Sequence, residues 1–160
     1  MRTKLYCAYG SNLNIQQMQF RCPTAKPIAK SWLFDHRLVF KGRPKGAHAT
    51  VIPEEGQVVP VVIWEISSQD EAALDRYEGV SAGYYTKEYM TLEVAGEMQE
   101  VLIYIMRPCD YGIPTKDYLD IITRGYLDFN LPTTTLEEAL AHSYKGAIVY
   151  KNKEEIHNGN

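Results

Sequence analysis

Cysteine is scarce, charge of neither sign dominates, and no hydrophobic run is long; each shortage excludes a class of protein. The 3 cysteines, Cys7, Cys22 and Cys109, are odd in number and widely spaced. None pairs at C-x-x-C spacing and none has a histidine at metal-ligand spacing, so a disulfide framework and a structural zinc are both unexpected. The 4 histidines, His36, His48, His142 and His157, fall in different segments, and only tertiary convergence would make a metal site of them. With 17 Lys and Arg against 20 Asp and Glu the formal charge is −3, which lacks the concentrated positive charge of a nucleic-acid surface. No stretch approaches the roughly 18 apolar residues of a membrane span, and the first residues lack the basic start, apolar run and cleavage site of a signal peptide. The expectation is a soluble cytoplasmic protein with a small-molecule or protein partner, no nucleic acid and no membrane. Nothing in the sequence sets its oligomeric state.

What is present fits one domain. A chain of 160 residues with 45% hydrophobic residues can bury roughly two thirds of its unfolded surface around a single core. That domain is expected over residues 1–150, with 151–160 a polar, frayed tail. Lys4 to Tyr9 is a short apolar run entering the polar turn Gly10-Ser11-Asn12, which reads as a buried strand leading to a helix capped by Asn12 or Asn14 and stopped by Pro23. Trp32 to Phe40 reads as a strand. A Gly- and Pro-containing connection, Lys41 to Ala47, precedes a short strand Ala49 to Ile52 that Pro53 closes. Val58 to Ile66 is a separate, nearly continuous apolar strand, and Ser67 or Ser68 caps the next helix, which ends at Gly79. Tyr84 to Val94 and Met98 to Met106 form a hairpin about Ala95-Gly96-Glu97. Pro114 to Phe129 has helical spacing, and Thr135 to Ala141 reads as a last short helix before Gly146 to Tyr150. This order points to an α+β domain on a mixed sheet able to close on itself, with no βαβ alternation to suggest a Rossmann fold.

Two segments can carry chemistry. In Tyr9-Gly10-Ser11-Asn12-Leu13 a Gly-containing turn meets a helix N-terminus, whose first N–H groups lack intrahelical acceptors and can cradle an anion or a carbonyl oxygen. The same pattern is also an ordinary structural turn. It has neither P-loop spacing nor a G-x-S-x-G elbow, and a serine or cysteine acyl transferase built on Ser11 or Cys7 has the weakest basis: Cys7 lies within an apolar strand and no histidine falls in a recognisable setting. The second segment, Tyr77-Glu78-Gly79-Val80-Ser81-Ala82-Gly83-Tyr84-Tyr85, sets an acid at a helix end before a flexible, aromatic-rich linker. A surface Glu there would sit beside the negative end of the helix dipole, a mildly unfavourable place. Buried against Tyr84 or Tyr85, its pKa would rise towards the range useful for proton transfer.

These two segments together resemble the γ-glutamylcyclotransferase-like (AIG2-like) family. Tyr9 to Leu13 is similar to the family's N-terminal substrate loop, and Glu78-Gly79-Val80 with Gly83 and Tyr85 to its catalytic segment. A weaker likeness extends over residues 5 to 132 and includes Tyr118-x-x-Ile121, Gly125 and Leu131-Pro132. The resemblance implies an α+β fold made of a small mixed β-barrel flanked by helices. It implies that Glu78 is the general acid/base, that Tyr9, Gly10, Ser11, Asn12 and Leu13 hold the γ-glutamyl head, and that Tyr85 and Tyr118 shape the pocket. Asp75 is the nearest competing carboxylate and lies outside the motif.

The implied reaction needs no enzyme nucleophile, metal or organic cofactor. The α-amine of a γ-glutamyl amide attacks its own γ-carbonyl, closes the lactam 5-oxoproline and expels an amine, while one carboxyl shuttles the proton. The leaving amine stays open among an amino acid, a lysine ε-amine and a larger natural product. Arg43, Lys45 or Arg107 are candidates to pair with a leaving-group carboxylate, although each is more readily read as a solvated surface cation. The rival class is a non-catalytic binding module, such as a plant-defence-like relative of the same fold.

Overall fold

The computed structural model describes residues 2–158, without the side chains of Val149 and Tyr150; Gly159 and Asn160 of the expected tail lie outside the described residues. The chain runs β1 (Thr3–Ala8), a 3₁₀ turn (Ser11–Leu13), α1 (Ile15–Arg21), β2 (Lys26–Lys41), β3 (His48–Ser67), α2 (Ser68–Tyr77), β4 (Tyr85–Val94), β5 (Glu97–Met106), α3 (Lys116–Asp128) and α4 (Thr134–Asn158). The five strands form one mixed sheet in the order β2-β3-β1-β5-β4. All its registered pairs are antiparallel except β1 with β5, which run parallel through Tyr6 and Leu102.

The α+β class is as expected, but the sheet is not closed into a barrel. Among the described residues, edge strands β2 and β4 make no backbone ladder; the Ser31 hydroxyl donates to the Glu93 carbonyl across them at 2.6 Å. A second difference is the length of β3, one strand where two were expected. It runs through Pro53 and Pro60, which pair in register with His36 and Trp32. β1 pairs with β3 only from Val62 to Ser67, so both prolines fall where β3 has a ladder on one side alone, the setting in which a strand tolerates a missing N–H. The register shift between Phe34 and His36 takes up the irregularity. There Asp35 adopts a left-handed φ of 56° and its carboxylate accepts the Gly56 N–H at 3.0 Å. The β4–β5 turn is tighter than expected: Ala95 (φ 50°) and Gly96 (φ 87°) alone make it, as a two-residue turn with both dihedrals positive requires.

The third difference is α4, a continuous helix of 25 residues in place of a short helix and a polar tail. Gly146 does not break it. A Cβ there would lie 2.3 Å from the Tyr111 ring, so this glycine serves close packing. Ser143, fully buried, accepts the Phe40 N–H at 2.8 Å and donates to the Ala139 carbonyl at 2.7 Å, tying α4 to β2.

The core lies between the sheet and the helices and includes Phe40, Val61, Ile63, Leu102 and Tyr126, each fully buried. Two helices fix the segments flanking the site. α2 begins with a capping box, in which Ser67 accepts from the Asp70 N–H and the Asp70 carboxylate accepts from the Ser67 N–H, closing two otherwise unpaired donors. α3 packs on the 3₁₀ turn so closely that a Cβ on Gly125 would sit 2.6 Å from the Asn14 nitrogen and 2.7 Å from Leu13. Asn14 caps α1 through the Gln17 N–H at 2.9 Å and donates to the Ile121 carbonyl at 3.1 Å. The turn after β1 is therefore held from two directions before any ligand arrives.

Candidate active site

β1 stops at Ala8, while β3 and β5 run past its end, and side chains join β3 to β4 and β5 across the opening. The Tyr85 hydroxyl donates to the Ala49 carbonyl at 2.8 Å, and the Met106 N–H donates to the Thr50 hydroxyl at 3.1 Å. The chain leaving β1 turns through Gly10 into this opening, with Leu13 N–H closing on the Gly10 carbonyl at 3.0 Å. Gly10 lets the turn pack closely: a Cβ would press on the Ala49 Cβ at 3.2 Å and would lie in ordinary contact with the Tyr118 hydroxyl at 3.7 Å. The result is a small cavity of about 100 Å³.

Glu78 lies on its wall. The carboxyl arrives there because α2 ends at Tyr77, the Glu78 N–H closes on the Leu74 carbonyl at 2.8 Å, and Gly79 (φ 60°) turns the chain away. No L residue with a Cβ would suit Gly79, since that atom would meet the Tyr84 ring at 2.6 Å. Burial raises the Glu78 carboxyl to about 7, and the Arg21 guanidinium opposes it by lowering it. At neutral pH such a carboxyl is shared between its acid and base forms. Asp75 does not line the cavity and is paired with the Tyr104 hydroxyl at 2.7 Å and with Lys87 at 3.1 Å.

Tyr9, Gly10, Ser11, Asn12, Tyr85 and Tyr118 all line the cavity with Glu78. Leu13 does not: it is fully buried in the core beneath the turn and facing α3, so it supports the turn from below. Asn12 is also buried, its amide spent within the protein, donating to the Tyr6 hydroxyl at 2.9 Å and accepting from Arg21 Nη1 at 2.8 Å. Arg107 lies on a separate groove of about 550 Å³ with Lys41 and Thr50, and Arg43 and Lys45 are exposed in the loop before β3.

Tyr6, Arg21, His48, Tyr77 and Tyr104 also line the cavity and stand outside the set of site residues expected from the sequence. Only the period-2 spacing of Tyr6 and Ala8 on β1 hinted that Tyr6 shares a face with the turn's approach; the others arrive by tertiary folding. The tyrosine hydroxyls divide by what they donate to. Tyr9 donates to the Tyr104 carbonyl, Tyr85 to the Ala49 carbonyl and Tyr104 to Asp75. Tyr6 and Tyr118 instead accept, from Asn12 Nδ2 and from the Ala49 N–H at 3.0 Å, and keep a proton to offer. Burial holds the pKa of all these phenols above the ordinary value, so they are neutral donors at pH 7. His48 packs against Tyr118 at 4.7 Å between ring centroids with the ring planes tilted by 58°, and burial, with Arg43 and Arg21, lowers its pKa. Among the described residues no three His, Cys, Asp or Glu side chains group to hold a metal ion, and no helix is long and apolar enough to cross a membrane.

The fold recurs in known proteins. The sequence pattern of the family described as "Gamma-glutamyl cyclotransferase, AIG2-like" matches residues 6–125. Gamma-glutamylcyclotransferase from Mus musculus is 30% identical over 157 residues, covering 91% of this chain and 84% of its own length. The Homo sapiens protein of the same name is 30% identical over 159 residues, covering 90% of this chain and 82% of its own. A solved structure called gamma-glutamyl cyclotransferase superposes with a TM-score of 0.78 at 27% identity, covering 86% of each chain. The chain belongs to the gamma-glutamyl cyclotransferase, AIG2-like family.

Proposed function

We propose that this protein is a cyclotransferase that converts a γ-glutamyl amide to 5-oxoproline and a free amine, with Glu78 as the proton shuttle. The observation that carries the reading is Glu78 itself: a carboxyl raised to about 7 by burial, on the wall of a cavity shared with the Gly10–Asn12 turn.

The chemistry follows from that placement. The substrate's α-amine enters as an ammonium, and Glu78 as carboxylate takes a proton from it. The amine then attacks the γ-carbonyl carbon, the new C–N bond closes a five-membered ring, and negative charge develops on the carbonyl oxygen. In this reading the hydroxyls of Tyr6 and Tyr118 are the donors that meet that charge. Glu78, now protonated, delivers that proton to the leaving nitrogen, and its carboxylate then takes the surplus proton from the ring nitrogen as the oxyanion collapses and the bond to the leaving nitrogen breaks; the departing amine takes up this second proton as an ammonium and restores the Glu78 carboxylate. A carboxyl near pH 7 serves both steps, which an ordinary carboxyl near 4.5 would serve poorly as an acid, and proton transfer of this kind accounts for roughly 10²–10⁴ in rate. The small cavity holds the γ-glutamyl head in a folded conformation and so supplies the orientation component.

Glu78→Gln tests the assignment. The amide is nearly isosteric and cannot exchange the proton, so turnover of γ-glutamyl amides, read as 5-oxoproline by mass spectrometry, should fall by at least about 10²-fold. Retention of a tenth of the wild-type rate would sink it. A panel of γ-glutamyl amides with amino-acid, lysine ε-amine and bulkier leaving groups identifies the substrate, and a wild-type protein inert on every member would favour the binding-module reading.

A further inference from the structure

Arg21 belongs to none of the sequence motifs, yet it contacts both the turn after β1 and the end of α2. It stands in the last turn of α1 and lines the cavity. Its Nη1 donates to the Ser11 hydroxyl at 3.2 Å and to Asn12 Oδ1 at 2.8 Å. Its guanidinium stacks on the Tyr77 ring at 4.4 Å, one residue before Glu78. The Gln17 amide, assigned with its oxygen towards Arg21, accepts from Nε at 3.0 Å and from Nη2. The planar fork is thus committed to protein partners on three sides, and what it offers the reaction is position and charge.

We infer that Arg21 is a positioning residue that locks the substrate turn to the acid-bearing end of α2 and sets the orientation of the Tyr6 proton. The orientation follows from hydrogen-bond direction. With Oδ1 of Asn12 held by a cation that can only donate, Nδ2 must face the Tyr6 hydroxyl; Tyr6 then accepts and turns its own proton into the cavity. Without Arg21 the Asn12 amide is free to flip, and the Tyr6 proton would be drawn onto Oδ1 and away from substrate. The second contribution is electrostatic. Around Glu78 stand Tyr6 of β1, Tyr9 of the turn, Tyr85 of β4, Tyr118 of α3 and, at the start of β3, His48; the phenols are neutral and His48 is pushed towards its neutral form. Arg21 is therefore the one fully charged cation lining the cavity among the described residues, and it restrains the rise that burial imposes on Glu78. A lysine keeps the charge but not the fork, since an ammonium on a flexible stem cannot hold Ser11, Asn12 and Gln17 at once while stacking on Tyr77.

The inference rests on the Glu78 reading, and the experiment separates the two. Arg21→Met and Arg21→Lys are compared with wild type by kcat and KM across pH, by thermal unfolding, and by ¹³C NMR titration of the Glu78 carboxyl in the free protein. Arg21→Met should lower kcat/KM about ten-fold or more, move its acidic limb to higher pH, and raise the Glu78 midpoint by NMR in the same direction. Arg21→Lys should leave limb and midpoint in place yet still lose kcat/KM several-fold. A midpoint that rises in Arg21→Met without a matching move of the rate profile would count against Glu78 as the shuttle and leave the role of Arg21 standing. Wild-type kcat/KM in Arg21→Lys, or losses in both variants that track a lower Tm with limb and midpoint unmoved, would overturn the inference. If Arg21→Met does not fold, the Arg21→Lys result decides alone.

Discussion

At Glu78 catalysis and stability pull in opposite directions. Its folded pKa of about 7 stands above the ordinary 4.5, so the native state binds this proton more tightly than the unfolded chain does. The associated stability is fully present below about pH 4.5 and is lost as pH rises through about 7. Glu78→Gln removes the titration, so the Tm of the variant should gain on that of wild type as pH is raised from 5 to 8, measured by calorimetry. A constant difference across that range would mean the carboxyl is not held in the environment described. The acid was visible in the sequence because Gly79, Val80, Gly83 and Tyr85 follow it at fixed offsets. Arg21 was not visible, because its partners lie 9 and 10 residues back in the turn and far along the chain at Tyr77, and no local pattern records a stacking partner on another helix.

Helices α3 and α4 each carry a glycine where helix propensity alone would favour alanine by about 1 kcal/mol. Both are there because something approaches. At Gly125 the approaching atoms are the backbone and side chain of Leu13 and the backbone of Asn14; at Gly146 they belong to the Tyr111 ring. Gly125→Ala should therefore push the substrate turn off α3, costing on the order of 1–3 kcal/mol and lowering kcat/KM as well. Gly146→Ala should cost stability of similar size while leaving kcat/KM near wild type, since Tyr111 does not line the cavity. Equal activity losses in the two variants would refute the distinction. Element ends followed the sequence well where a cap marked them, as at Ser67, and came within one residue at the Ala95-Gly96 turn. They departed where packing overrode a local stop signal: Gly146 within α4, and Pro53 and Pro60 within a strand much of whose length lacks a second neighbour.

The whole molecule is an open sheet whose edges nonetheless meet. The bond from the Ser31 hydroxyl to the Glu93 carbonyl does what a ladder between β2 and β4 would do in a barrel. Ser31→Ala leaves that carbonyl without its partner and should cost about 1 kcal/mol, or roughly 2–4 °C in Tm for a chain of this size, with kcat/KM unchanged because Ser31 is remote from the cavity lining. A loss of activity at unchanged Tm would show that edge contact matters to the site and not to the fold. At this scale the sequence by itself determined the α+β class, the turn after β1 and the acid at the end of α2. Each is written in local spacing: alternation in strands, caps and glycines at helix ends, an acid before a Gly-rich linker. Only the tertiary structure decided that the sheet stays open, that Leu13 is buried support for the turn, and that Arg21, Tyr6 and His48 share the cavity with Glu78. Those outcomes depend on which distant side chains meet, and a hydrogen bond between residues remote in sequence leaves no mark in the local pattern that either residue belongs to.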